Sequence, residues 1–266
     1  MPAGRPSGAV LAAFGVEAQP RRLSGGQGTS WVAGDLVLKP GGGPVHDWLA
    51  EALHDVVPDG FRLALPVRTL AGAWSCDGWE ATRWVDGTPD RTSTTAWADV
   101  VEAGRSFHRA VAHLARPSCL DARDDRWAHA DRAAWDELVV PLVPALADLG
   151  PRLRDALEPL GPAQLVHGDL TGNVLLSAGL PPAVIDISPY WRPPAYAEAV
   201  VLADALCWHG APASLLEGVG VPRAALARAL LFRVTTTSLA AEAGSQGVDV
   251  ADEARRYQAA LSAIGL

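Results

Sequence analysis

The stretch that decides how this chain folds is LVHGDLTGNVLLSAGLPPAVIDIS, residues 165–188. It contains three apolar runs that are each too short for a helix, and glycines and prolines separate them. Short apolar runs bounded by such turn residues are typical of buried β-strands. The sequence therefore predicts strands at 165–166, 174–176 and 183–185.

Polar residues occupy the ends of these predicted strands. His167, Asp169 and Asn173 lie between the first two apolar runs, and Asp186 follows the third. Two carboxylates and one carboxamide are oxygen ligands that suit Mg²⁺ bound together with substrate phosphates. Taken alone, the pattern His-x-Asp-x-x-x-Asn is equally consistent with a tight loop whose side chains bond their own backbone. Asp186 favours the metal interpretation, because a carboxylate after a buried strand is rare without a partner or a metal.

The two polar segments, HGDLTGNVLL and VIDIS, resemble the catalytic loop and metal-binding strand of the aminoglycoside phosphotransferase-like branch of the protein-kinase-like superfamily, in particular members of actinobacterial type. The resemblance implies that Asp169 orients or deprotonates an acceptor hydroxyl, and that Asn173 and Asp186 hold Mg²⁺ on the nucleotide phosphates. The family usually has four residues between the aspartate and the asparagine, whereas residues 170–172 supply three. This departure can displace the asparagine by up to about 3 Å, unless Gly172 lets the loop take a tighter path.

Lysine usage supports the resemblance independently. Among 22 Lys plus Arg residues the chain has a single lysine, Lys39, at the end of the strand-like run 36–39. Lysine is a compact point charge and arginine a planar fork, so the two are not interchangeable at a phosphate site. The resemblance calls for a lysine on the third strand that pairs with nucleotide phosphates, and the only lysine of the chain lies there.

A glycine-rich turn precedes this strand by one short hairpin, with glycines at Gly25, Gly26 and Gly28. Such a turn can bring backbone N–H groups close to phosphates, although glycines in a hairpin often serve only the turn. Its position before Lys39 favours a loop that covers ATP.

Two further segments receive nucleotide-binding roles from the resemblance. The helical segment 46–56 is expected to carry a glutamate that pairs with the strand lysine, and Glu51 is the candidate, with a solvated helix carboxylate as the alternative. The strand 79–85 is expected to end in the hinge that contacts the adenine edge. The hinge residues are Arg83, Trp84 and Val85.

Apolar spacing predicts the remaining elements. A helix is expected within residues 1–20. Further strands are predicted at 61–65, 67–70 and 73–75, and helices at 96–114, 137–149, 153–160, 199–209, 223–241 and 250–264. The proline-rich segment 188–198 is expected to be extended, ordered by the restricted φ of proline rather than by sheet pairing. Arg192 in this segment is expected either to contact the catalytic loop or a phosphate, or to form a structural ion pair.

We therefore expect an α+β, two-lobed, protein-kinase-like fold with a small antiparallel-sheet N-lobe and a mostly helical C-lobe. Residues 1–86 are expected to form the nucleotide-binding lobe, and residues 87–266 the lobe that contains the catalytic loop and the acceptor site. A chain of 266 residues is long enough for two lobes with sizeable cores.

Composition restricts the partners and the compartment. A net charge of −8 argues against nucleic acid, whose binding requires a basic surface, and is compatible with a cationic or neutral small substrate. The three cysteines are far apart without C-x-x-C spacing, which indicates reduced thiols in a cytoplasmic protein. No apolar run approaches the ~18 residues of a membrane span, so we expect no membrane partner.

The expected reaction is transfer of the γ-phosphoryl group of ATP or GTP, with Mg²⁺, to a hydroxyl of a small-molecule acceptor. Two alternatives stay open. The short loop between Asp169 and Asn173 supports a nucleotide-binding pseudokinase or regulatory module without phosphotransfer. A metal-dependent hydrolase that uses the same carboxylates has less support, because a lone lysine and a glycine turn are not what water activation needs.

Overall fold

The structure is a computed structural model that describes residues 4–24, 28–90 and 93–266. The expected α+β architecture is confirmed, because an antiparallel sheet dominates the N-terminal part and helices dominate the C-terminal part. The described strands of the N-terminal part are β1 (Arg21–Arg22), β2 (Trp31–Ala33), β3 (Leu36–Pro40), β4 (Arg62–Leu63), β5 (Ser75–Cys76) and β6 (Trp79–Arg83). Five of them form one sheet in the order β1-β2-β3-β6-β5. The helices α1 (Gly8–Ala13) and α2 (Pro44–His54) accompany this sheet.

Strand β3 shows how the sheet orients its functional side chain. Leu36 and Leu38 are buried and pack in one apolar cluster with Val10 and Phe14. Successive side chains of a strand point to opposite faces, so Lys39 lies on the face away from this cluster. The segment predicted as a strand at 67–70 is irregular in the structure.

The C-terminal part is built around one long, buried helix. Its described helices are α3 (Thr94–Val111), α4 (Arg126–Ala134), α5 (Leu149–Arg154), α6 (Pro194–Trp208), α7 (Ser214–Val219), α8 (Arg223–Glu242) and α9 (Val250–Ala263). Helix α8 packs against α4, α5, α6 and α9. Aromatic side chains from four helices fill the core, namely Trp97, Phe107, Tyr196, Phe232 and Tyr257. None of the described helices is long and apolar enough to cross a membrane.

The helices predicted at 137–149 and 153–160 are wrong over most of their length. This region forms irregular chain, a 3₁₀ turn at Pro144–Leu146 and the short helix α5. Proline has no backbone N–H and restricts the residue before it, so Pro141 and Pro144 prevent a regular helix. The Val143 N–H instead donates to Ser238 Oγ of α8 at 2.8 Å.

The three strands predicted from residues 165–188 are confirmed. They are β7 (Gln164–His167), β8 (Val174–Ser177) and β9 (Leu180–Val184), and a further strand, β10 (Pro189–Arg192), follows them. Strand β9 pairs antiparallel with β8 and parallel with β4, while β7 pairs antiparallel with β10. Backbone pairing between β4 and β9 thus crosses the lobe boundary predicted at residue 86.

The prediction that segment 188–198 lacks sheet pairing is wrong. Residues of β10 pair with β7, so that Pro189 lies opposite His167 and Arg192 opposite Gln164. The prolines are tolerated because they stand at element ends: Pro189 begins the strand, and Pro194 is the first residue of α6. Both are positions where the missing N–H does least harm.

Candidate active site

A fully buried histidine organises the candidate catalytic loop. His167 ends β7, and its Nδ1 accepts hydrogen bonds from the backbone N–H groups of Asp169 at 3.2 Å and Ser188 at 3.3 Å. Because Nδ1 is an acceptor, the ring is neutral and Nε2 donates to the Ile185 carbonyl at 3.1 Å. One imidazole therefore ties the loop after β7 to the segment after β9.

A second buried histidine supports the first. His108 of α3 accepts a hydrogen bond from the backbone N–H of His167 through Nε2 at 3.1 Å. Burial lowers the pKa of His108 to about 3, with a further contribution from His167. Burial likewise lowers the pKa of His167 to about 4. Both rings are therefore neutral at physiological pH.

We expect acidification to destabilise the protein through these two histidines. In an unfolded chain a histidine has a pKa near ~6.5, so the unfolded state takes up protons first as the pH falls below that value. The free energy of unfolding should decrease by about 2 kcal/mol per histidine between pH 7 and pH 5. Urea unfolding at both pH values measures this loss. In His108→Gln, the decrease in the free energy of unfolding between pH 7 and pH 5 should be smaller than in the wild type by the contribution of one histidine. His113→Gln, at an exposed position, should show the same decrease as the wild type. Equal decreases in the two variants would contradict the assignment.

The short loop between Asp169 and Asn173 closes on itself. Gly172 adopts a left-handed φ of +80°, a conformation that glycine adopts without steric cost. This path lets Asn173 Nδ2 donate to the Asp169 carbonyl at 2.7 Å, and the Asn173 N–H to the Leu170 carbonyl at 2.9 Å. The amide nitrogen is thereby engaged within the loop, and the side-chain oxygen is the atom of Asn173 that could act as a metal ligand.

Asp186 stands next to this loop in a strained backbone conformation. Its φ is +53°, which is uncommon for a residue other than glycine and most accessible to Asn and Asp. The preceding N–H, of Ile185, donates to the Asn173 carbonyl at 2.9 Å. The two predicted metal ligands therefore lie at adjoining backbone positions, and the Asp186 side chain is 52% exposed.

Lys39 joins the N-terminal sheet to this loop. Its Nζ contacts Asp186, which is 147 residues away in sequence, and lies 3.2 Å from Oε1 of Glu80. Burial disfavours the charged ammonium, but Asp186 and Glu80 together raise the pKa of Lys39 above its usual value. The structure therefore brings Lys39 and Asp186 into contact and places them, through the loop, near Asn173 and Asp169.

The predicted pairing of Glu51 with Lys39 is wrong. The Glu51 carboxylate is 63% exposed and accepts hydrogen bonds from Arg68 Nη2 at 2.6 Å and Trp74 Nε1 at 3.1 Å. Five residues earlier, His46 lies on the side of α2 that reaches Glu80. A separation of five residues turns a helix by about 140° beyond one full turn, so Glu51 faces away from the lysine.

Asp169 has a buried cationic neighbour that sequence reasoning missed. Its Oδ1 lies 3.4 Å from Nη2 of Arg233 in α8, and Arg233 in turn bonds both oxygens of Asp204 in α6 at 2.7 and 2.6 Å. Burial raises the pKa of Asp169, the positive charge of Arg233 opposes this shift, and Asp204 and Asp186 add to it. Helical periodicity does not reveal this neighbour, because Asp169 lies in the loop between β7 and β8, whereas Arg233 lies in α8.

The predicted hinge residues lie at the end of β6, where Arg83 is the last residue of the strand and Trp84 and Val85 follow it. The N–H groups of Arg83 and Trp84 donate to the carbonyls of Leu65 and Asp35, each at 2.8 Å. The Arg83 side chain pairs with Asp35, and the partly exposed Trp84 indole donates to Asp86 at 2.9 Å. Val85 is half-buried.

Of the three glycines assigned to the phosphate-covering turn, the structure describes Gly28, which lies between β1 and β2. Gly25 and Gly26 are outside the described residues. Gly28 has a φ of +66°, and its carbonyl accepts a hydrogen bond from Arg22 Nε at 2.6 Å.

The donor set of this candidate site suits a magnesium ion that arrives with a nucleotide. Among residues 4–24, 28–90 and 93–266, no group of three or more His, Cys, Asp or Glu could hold a metal on its own. Asp186 and Asn173 supply two oxygen donors, and Mg²⁺ in proteins is commonly bound by one or two carboxylates together with substrate phosphates and water.

Arg192 forms a structural ion pair, which is one of the two alternatives expected from the sequence. Its guanidinium bonds Asp131 at 2.7 Å and Glu137 at 2.6 Å. These charges line a cavity of about 300 Å³ whose wall includes Tyr190. The Tyr190 ring packs against Gly168, where a Cβ would lie 2.3 Å from Tyr190 Cδ2, so Tyr190 contacts both the cavity and the loop.

Comparison with family models identifies the chain at the sequence level. A model described as the phosphotransferase enzyme family matches residues 45–220. No significant match to a curated protein was found.

Comparison with solved structures shows similarity over nearly the whole chain. An aminoglycoside phosphotransferase from Alicyclobacillus acidocaldarius has a TM-score of 0.65 at 17% identity, covering 99% of this chain and 94% of that one. An AMP-bound spectinomycin phosphotransferase has a TM-score of 0.63 at 14% identity, covering 97% of this chain and 96% of that one. A choline/ethanolamine kinase family protein from Mesorhizobium loti has a TM-score of 0.57 at 20% identity, covering 97% of this chain and 93% of that one. The kinase-like fold is thereby confirmed.

Proposed function

The chain belongs to the phosphotransferase enzyme family and is a small-molecule kinase, and from that premise we propose that it transfers the γ-phosphoryl group of ATP, with Mg²⁺, to a hydroxyl of a small cationic acceptor. The contact between Lys39 and Asp186 carries this proposal. The contact brings the only lysine of the chain beside a carboxylate 147 residues away. A kinase needs a cationic group for the nucleotide phosphates and a carboxylate for their metal ion, and this pair offers both.

Each residue of the candidate site then has one role. Lys39 pairs with the phosphates of the nucleotide. Asp186 and the Asn173 side-chain oxygen hold Mg²⁺, which neutralises charge on the phosphates when it is bound. Asp169 positions the acceptor hydroxyl and accepts its proton, and the partly exposed carboxylate is accessible to an acceptor. Catalysis of this kind consists mainly of positioning and electrostatic stabilisation.

The adenine base is proposed to bind at the hinge. Because the N–H groups of Arg83 and Trp84 already donate within the protein, Val85 is the hinge residue that we assign as the backbone donor to the base. Gly25, Gly26 and Gly28 are proposed to cover the phosphates.

The acceptor class rests on charge and on the relatives. Spectinomycin phosphotransferase, aminopropanol kinase and choline/ethanolamine kinase are among the similar structures, and their named substrates combine a hydroxyl with an amine or ammonium group. The net charge of −8 favours encounter with such cations. A screen should therefore begin with amino alcohols, choline and aminoglycosides.

We expect Lys39→Ala to weaken Mg²⁺–ATP binding by about tenfold or more, because a charge-assisted contact with phosphate is lost. Lys39→Arg should restore the affinity only in part, since a guanidinium does not reproduce the point charge of an ammonium. Calorimetric titration of ATP and GTP, each with and without Mg²⁺, measures these affinities. Arg154→Ala is the control, because Arg154 pairs with Asp136 on the surface.

The outcome decides between the proposed kinase and its alternatives. Mg²⁺-dependent nucleotide binding followed by transfer to one member of the acceptor panel would support the proposal. Nucleotide binding without transfer to any acceptor would favour a pseudokinase. Absence of nucleotide binding in the wild type would overturn the proposal.

A further inference from the structure

The buried partner of Lys39 is a residue of the sheet. Glu80 lies directly opposite Lys39 in the register of β3 and β6, and its side chain is only 11% exposed. We propose that Glu80, held in place by His46, is the positioning residue that orients Lys39 toward the nucleotide phosphates. This inference rests on the proposed function and replaces Glu51 in the role that the family resemblance implies.

Both oxygens of Glu80 are engaged, each by a different element. Oε1 lies 3.2 Å from Lys39 Nζ, and Oε2 lies 3.1 Å from His46 Nε2 in the first turn of α2. A carboxylate whose two oxygens are each in contact with a different element has little freedom to rotate. Glu80 therefore couples α2 to the lysine through His46, whereas Glu51 of the same helix binds Arg68 and Trp74.

Space for this carboxylate is provided by a glycine. A Cβ at Gly41 would lie 2.0 Å from Glu80 Oε2 and 2.4 Å from its Cδ, so any larger residue would displace the Glu80 side chain. The backbone of Gly41 is outside the left-handed region. Alanine at this position would thus act by contact with Glu80 and not by backbone strain.

The two carboxylates that contact Lys39 differ in a way that suits different roles. Asp186 is half-exposed and is proposed to hold Mg²⁺, so its contact with Lys39 can be exchanged for a phosphate oxygen. Glu80 is buried, and a buried carboxylate keeps its partner because an unpaired charge there is costly. Glu80 therefore keeps the ammonium oriented while Lys39 changes its other partner.

Calorimetry with matched glutamate variants tests this role without an acceptor. Glu80→Gln should weaken Mg²⁺–ATP binding by about tenfold, the size of one charge-assisted contact, and Glu51→Gln by less than about twofold. In the double variant Lys39→Ala/Glu80→Gln the affinity should equal that of Lys39→Ala, because contacting residues are not additive. A loss with Glu51→Gln as large as with Glu80→Gln, or additive losses, would overturn the proposal.

A steric variant keeps the test valid if Glu80→Gln folds poorly. Gly41→Ala leaves every charge in place and should weaken Mg²⁺–ATP binding in the same direction as Glu80→Gln. Gly218→Ala is its control, because a Cβ at Gly218 meets no atom within 4 Å. Unchanged affinity in a folded Gly41→Ala protein would contradict the role of Glu80.

A spectroscopic readout separates this inference from the proposed function. Because Lys39 is the only lysine, ¹⁵N-lysine labelling yields one lysine side-chain signal that needs no assignment. We expect Glu80→Gln and Gly41→Ala to shift this signal, and Glu51→Gln to leave it unchanged. If the wild type binds no nucleotide, the proposed function fails, yet this signal still reports the Glu80–Lys39 contact. A signal insensitive to both Glu80→Gln and Gly41→Ala would refute the inference.

Discussion

Asp169→Asn is expected to lower kcat for phosphoryl transfer by about 10²–10⁴-fold while leaving Mg²⁺–ATP affinity within about threefold of the wild type. The amide has nearly the shape of the carboxylate but cannot accept the proton of the acceptor hydroxyl. Lys39 and Asp186, which we assign to the nucleotide, keep their contact. The variant should therefore separate chemistry from nucleotide binding.

The measurement combines transfer assays, with the acceptor found by screening, and calorimetric titration of Mg²⁺–ATP. Asp124→Asn is the matched control, because Asp124 is an exposed aspartate that pairs with His129 at 2.7 Å; it should keep wild-type kcat. Transfer by Asp169→Asn at a rate near that of the wild type would refute the role of Asp169. Asp186→Asn should differ from Asp169→Asn by also weakening nucleotide binding in the presence of Mg²⁺.

Asp204→Ala is expected to decrease the free energy of unfolding by about 3–5 kcal/mol, the usual cost of leaving one member of a buried ion pair without its partner. Asp204 has a side chain that is 5% exposed and bonds the buried Arg233 twice. Burial alone would lower the pKa of Arg233, whereas Asp204 and Asp169 raise it above its usual value. Without Asp204, Asp169 at 3.4 Å is the carboxylate among the described residues that still contacts the guanidinium.

Urea unfolding at pH 7 measures this decrease. Asp136→Ala is the control, because Asp136 forms an exposed pair with Arg154 and exposed pairs contribute less than about 1 kcal/mol. Replacing both partners, as in Asp204→Leu/Arg233→Met, should recover much of the lost stability, since the unpaired charge is removed. Equal effects of Asp204→Ala and Asp136→Ala would show that the pair at the catalytic loop is not structurally important.

Local signals in the sequence were sufficient for the core of the candidate site. The strands of residues 165–188, the polar ends that they carry, and the hairpin that ends at Lys39 are all defined by short apolar runs and nearby turn residues. Even the shortened loop was interpretable, because Gly172 offered a tighter path and has the left-handed φ that this path requires.

Sequence patterns failed where proline and apolar periodicity gave opposing signals. Apolar spacing predicted a helix at 137–149, but Pro141 and Pro144 prevent it. In segment 188–198 the opposite error occurred, since prolines at the ends of β10 and α6 permit regular structure between them. The position of a proline relative to the element ends decided both outcomes.

The sequence by itself determined the strands and polar strand ends of residues 165–188 and the strand that carries Lys39, because each depends on residues close together in the chain. The resemblance of those residues to a known family indicated the fold class. Only the tertiary structure decided the partners of these groups. Glu80 rather than Glu51 faces Lys39 because of strand register and helix rotation, and Arg233 reaches Asp169 from a helix 64 residues later. Such pairings depend on how distant elements pack, and a single sequence carries no local signal for that packing.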